Sequence, residues 1–81
     1  MPTVFRYRGY RFFFYSNEGD PLEPLHIHVM KGEKVAKFWV EPTIAVAQNY
    51  GMKPTELTKL AKIIANRKEL IRESWNEYFN F

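Results

Sequence analysis

The chain contains no cysteine. Disulfides, thiolate metal centres and a cysteine nucleophile are therefore excluded, and a small fold without disulfides fits a reducing cytoplasm. No apolar run reaches the roughly 18 residues that a membrane-spanning helix needs. The N-terminus lacks the basic-then-apolar order of a signal peptide. Charge of one sign never accumulates: 12 basic and 9 acidic residues are interspersed, with no charged tail, for a net charge of +3. A basic site, if there is one, must be assembled by folding. No glycine-rich phosphate loop and no nucleophile elbow occurs. The expectation is a soluble, cytoplasmic protein; the chain has 81 residues, the length of one domain. A chain this short has a small core, but a rich one, because 46% of the residues are apolar and 17% aromatic.

The first half has strand-like composition. Thr3 to Tyr7 and Tyr10 to Tyr15 flank Arg8-Gly9, a two-residue connection suited to a tight hairpin. Ser16 to Pro24 holds turn formers and two prolines and reads as a loop. A second hairpin runs from Leu25 to Lys31, turns at Gly32-Glu33, and returns from Lys34 to Val40. Glu41-Pro42 interrupts it, because proline cannot donate to a central ladder. Thr43 to Ala47 fits a short edge strand or a helical turn, of which the strand is favoured. Asn49-Tyr50-Gly51 turns the chain, and Lys53-Pro54-Thr55-Glu56 has the proline and early acid of a helix start. Leu57, Leu60, Ala61, Ile64, Ile71, Trp75 and Tyr78 then recur at helical spacing, predicting one helix over 54–79. The expected fold is a two-layer α+β domain, with an antiparallel sheet of four or five strands packed on one long C-terminal helix.

Hairpin register sorts side chains into faces, since opposed residues share a face. Around Arg8-Gly9, Phe5, Tyr7, Tyr10, Phe12 and Phe14 form the core side. Val4, Arg6, Arg11, Phe13 and Tyr15 form the other. Around Gly32-Glu33, His26 opposes Trp39 and His28 opposes Lys37, whereas Ile27, Val29, Ala36, Phe38 and Val40 lie on the apolar side. Both histidines of the chain thus fall on one face, two residues apart, predicted to look away from the helix together with Arg6, Arg11, Lys37 and Trp39.

Three readings of that face are open. In the first, the histidines are ordinary strand residues and a second subunit covers the exposed aromatics, making a homodimer. In the second, interleaved cations and rings form a platform for single-stranded RNA. Cleavage would add a base and an acid from His26 and His28, and a cation from Lys37, Arg6 or Arg11. In the third, the histidines bind zinc or a similar ion with Glu18, Asp20, Glu33 or Glu41. Lys37 disfavours this, since a cation repels a cation.

Met1 to Phe5, Gly9 to Glu18, the Pro24 to Val29 segment, Ala36-Lys37-Phe38-Trp39 and Trp75 to Phe79 together resemble a bacterial family of small proteins known as domain of unknown function 4160. Members often stand beside a second small uncharacterised protein, an arrangement that implies a toxin–antitoxin context. The leading expectation is therefore a module that binds a cognate small protein and RNA. Arg6, Arg11, His26, His28, Lys37 and Trp39 are its contact residues, and no cofactor or metal is expected. The alternatives are a metal-independent ribonuclease using His26 and His28, and a metal-binding or purely structural homodimer.

Overall fold

The structure, a computed structural model, describes residues 3–15 and 23–79. Five strands form one antiparallel sheet in chain order: β1 (Thr3–Tyr7), β2 (Tyr10–Phe13), β3 (His26–Lys31), β4 (Lys34–Trp39) and β5 (Ala45–Tyr50). Two helices follow, α1 (Pro54–Asn66) and α2 (Lys68–Phe79). The class is α+β, as the sequence predicts. The expected loop at 16–22 lies outside the described residues.

The first turn takes its shape from Arg8 and Gly9, both with positive φ (47° and 85°). Two consecutive left-handed residues make the hairpin turn whose twist matches that of the strands. Tyr7 then faces Tyr10, Arg6 faces Arg11 and Phe5 faces Phe12, the predicted register. Further along, Thr3 pairs with Phe13, so Val4 is an extra residue. This bulge turns Val4 onto the core, not onto the opposite face expected from strict alternation. The second hairpin also keeps its register, His26 opposite Trp39 and His28 opposite Lys37.

The core lies between the sheet and the helices. Phe12, Phe14, Ile27, Val29, Ala36, Phe38 and Val40 meet Leu60, Ile64, Ile71 and Trp75 there. Each large side chain buried in this way contributes about 1.5–3 kcal/mol. Tyr7, expected in this core, is partly exposed because it ends β1 at the sheet margin.

The helical segment is two helices, not one. Ile64 requires an apolar partner three or four residues on, but Arg67 and Lys68 stand there. With nothing to bury, the chain leaves helical geometry at Arg67 (φ −114°, ψ 17°). The Arg67 amide is shared between the carbonyls of Ile63 and Ile64, both at 3.1 Å. The guanidinium turns outward over the Phe5 ring, 5.0 Å from its centroid. The stripe continues past the break through Ile71 and Trp75, but at its end Phe79 packs on the core and Tyr78, expected on it, is exposed.

β5 also differs from expectation. It spans Ala45–Tyr50, whereas 43–47 was expected. Pairing with β4 decides its extent: Tyr50 lies opposite Val35 and Asn49 opposite Ala36. The turn comes after it, at Gly51. There the Asn49 side chain accepts from the Met52 amide (3.1 Å) and donates to the Met52 carbonyl (3.0 Å).

Candidate functional site

The sheet register places the sequence-predicted residues in rows. One row crosses all five strands: Arg6, Arg11, Met30, Val35 and Tyr50. The next holds Phe13, His28, Lys37 and Gln48, and a third begins with His26 and Trp39. All lie opposite the face that carries Phe12, Val29, Ala36 and Phe38 against the helices. The six predicted residues therefore share a face, as expected.

Their exposure does not follow expectation. His26 is 0% exposed and His28 7%. Register fixes the side of a sheet on which a residue sits, not what folds over it. His28 is covered by neighbours from β2 and its extension: Phe13 at 5.6 Å and Tyr15 at 4.4 Å between ring centroids. His26 stands at the end of β3, where the Trp75 indole of α2 comes within 5.1 Å and Trp39 within 5.6 Å. Its Nδ1 lies 2.9 Å from the Pro24 carbonyl oxygen. A carbonyl can only accept, so Nδ1 carries the proton and donates. The two imidazoles meet edge to face, 5.4 Å apart and 88° between planes. The expectation that both rings project from a bare face is corrected: they belong to an aromatic cluster closed from one side by the helix tail. Trp75 is the contact that pattern reading misses, because helical periodicity assigns it wholly to the core stripe.

The cations are held by local partners. Lys37 pairs with Glu23 at 3.2 Å and lies 4.5 Å from the Trp39 ring centroid. Arg11 donates from Nε to the Thr3 hydroxyl at 2.7 Å and covers the Phe13 ring at 4.6 Å. Arg6 is exposed beside it. At the far end of the same row Tyr50 is 65% exposed.

Of the proposed metal ligands, Glu33 and Glu41 do not gather with the histidines into a metal site. Glu33 sits in the β3–β4 turn, and Glu41 is paired with Arg72 at 3.1 Å. Glu18 and Asp20 lie outside the described residues. Among the described residues no three of His, Asp and Glu are grouped to hold an ion. No helix is long and apolar enough to cross a membrane.

A family model described as Domain of unknown function (DUF4160) matches residues 9–76. The chain belongs to this family. The matched span runs from the β1–β2 turn to one residue beyond Trp75, so it includes every residue of the histidine cluster. No curated protein and no solved structure matches the chain.

Proposed function

We propose that this DUF4160 protein is a small RNA-binding module that contacts single-stranded RNA with the sheet face opposite its helices, in concert with a cognate small protein. The observation that carries the reading is the row Arg6, Arg11, Met30, Val35, Tyr50 across the whole sheet. Guanidinium groups at one end suit phosphates. An exposed phenol ring at the other suits an unstacked base, and the apolar side chains between them suit a flat aromatic surface. Lys37 over Trp39 adds a second cation–ring pair in the adjoining rows. The buried imidazoles support binding over cleavage, because a general base must reach the proton that it abstracts. In this reading His26 and His28 hold the platform together.

The test is fluorescence anisotropy of a labelled single-stranded RNA at several salt concentrations. Log affinity should fall linearly with log salt, since each neutralised phosphate releases counterions. Arg6→Glu should weaken binding and flatten that slope. Tyr50→Ala should cost about 1–3 kcal/mol, the worth of one stacked base. Absence of binding, or a salt-independent affinity, overturns the RNA reading. Co-expression with the neighbouring gene product tests the partner: co-purification and a change in growth are expected, and neither occurring removes it.

A further inference from the structure

On the helix side of the sheet, the β1–β2 hairpin and α1 enclose a cleft of about 540 Å³. Tyr7, Arg8, Tyr10 and Lys31 form the sheet wall, and Thr55, Glu56, Lys59 and Lys62 belong to the helix wall. Four cations thus face one carboxylate. That carboxylate is already engaged. Glu56 accepts the Lys53 amide at 3.0 Å, the Tyr10 hydroxyl, and Lys34 at 2.9 Å from outside the cleft. It carries its charge in a set of local bonds and, among the described residues, forms no ion pair with Lys31, Lys59 or Lys62.

The four cations are differently situated. Arg8 lies over the Tyr7 ring at 5.4 Å and Lys31 over the Tyr10 ring at 4.6 Å. A cation resting on a ring face is held in position without losing its charge. Lys59 and Lys62 are exposed on α1. Among the described residues none of the four is ion-paired with a carboxylate. Like charges collected around one concavity repel, and the arrangement is relieved by an anion. A concave wall also focuses the field on whatever enters. The size falls within the roughly 300–1,000 Å³ of small-molecule sites.

We propose that this cleft is a phosphate-binding site for a nucleotide, with Arg8, Lys31, Lys59 and Lys62 contacting its phosphates. The ligand is either a free nucleoside triphosphate or a phosphorylated nucleotide of an RNA strand. Several cations at one concavity favour a multiply charged group over a single carboxylate. The second source rests on the RNA reading above; the first does not.

The experiment is titration of the full chain with sodium tripolyphosphate, uridine triphosphate and a labelled single-stranded RNA, followed by calorimetry or anisotropy. Two cleft variants are compared with Arg6→Glu on the opposite face. One is Lys59→Glu with Lys62→Glu, both at exposed helix positions. The other is Arg8→Gly, which keeps the positive φ of the turn. Both cleft variants should lose tenfold or more in affinity for tripolyphosphate, a larger loss than Arg6→Glu causes. If uridine triphosphate follows tripolyphosphate and RNA is not bound, the cleft stands as a free-nucleotide site and the RNA reading falls. If RNA affinity falls in the cleft variants as well, the cleft holds a nucleotide of the strand. If the cleft variants bind every probe as the wild type does, or the wild type binds none, the cleft proposal is overturned. Loss of RNA binding in Arg6→Glu alone would then leave the sheet-face reading in place.

Discussion

His26 is the residue whose chemistry depends most on what surrounds it. An imidazole at 0% exposure, donating to a main-chain carbonyl and enclosed by two indoles, is a packing element. His26→Ala removes the ring from a filled site and leaves the Pro24 carbonyl without its donor. The expected cost is about 2–4 kcal/mol, the range for large-to-small changes with a lost, partly buried hydrogen bond. Urea midpoints measure it, and an unchanged midpoint would return His26 to the candidates for surface chemistry. Glu56 makes a second residue-scale case. The Lys53 amide, the Tyr10 hydroxyl and Lys34 hold its carboxyl at about 2, well below the ordinary 4.5. A carboxylate with a depressed folded pKa stabilises the native state above its unfolded pKa. That contribution is lost as pH falls from about 4.5 toward 2. Glu56→Gln should therefore flatten the acid limb of stability in that window. Arg72 also lowers Glu41, so part of the limb should survive the substitution. Superimposable acid limbs for the two proteins would sink the assignment.

Between elements, the turn from β5 into α1 is constrained at one glycine. Gly51 has φ +92°, and a Cβ there would meet Lys34 Cγ at 3.3 Å. Gly51→Ala adds a left-handed penalty of about 1–2 kcal/mol to that crowding. Denaturant unfolding should show a loss at least that large, and a neutral Gly51→Ala would mean that the turn relaxes. This junction also shows what the sequence discloses and what it does not. Both hairpin registers were legible, because turn residues and alternating side chains specify them locally. So was the start of α1, from Pro54 and Glu56. The end of β5 was not, because its pairing with β4 overrides the weak strand preference of Gln48 and Asn49. The break at Arg67 was visible only as a gap in the apolar stripe. For the site, pattern reading found which residues share a face. It missed the burial of His26 and His28: Trp75 reaches His26 across 49 residues of chain, and no local pattern reports such a contact. The cleft escaped for the same reason: Arg8, Lys31 and the Lys59–Lys62 pair are far apart in sequence and converge only when α1 docks.

At the scale of the whole molecule, charge is sorted more sharply than composition suggests. Among the described residues, ion pairs join Lys34 to Glu56, Lys37 to Glu23, and Arg72 to both Glu41 and Glu69. These pairs sit at contacts between elements or along α2, and they consume acids that would otherwise offset the surplus of basic residues. The cations lining the cleft form no ion pair among the described residues, so the native state concentrates positive potential that the unfolded chain spreads along its length. Any polyanion should consequently prefer the folded form. A ligand present at about 100 times its dissociation constant stabilises the native state by about 2.7 kcal/mol. For a domain of this size each kcal/mol is worth about 4–8 °C in Tm. Saturating single-stranded RNA should thus raise the Tm by about 10–20 °C at low salt. High salt, by displacing the counterion-release term, should erase most of that rise. Lys59→Glu with Lys62→Glu should shrink the shift while leaving the ligand-free Tm near that of the wild type, since both lysines are exposed and unpaired. A Tm that does not move with RNA, tripolyphosphate or uridine triphosphate would show that the collected positive charge serves no anion, and would remove both the sheet-face and the cleft assignments together.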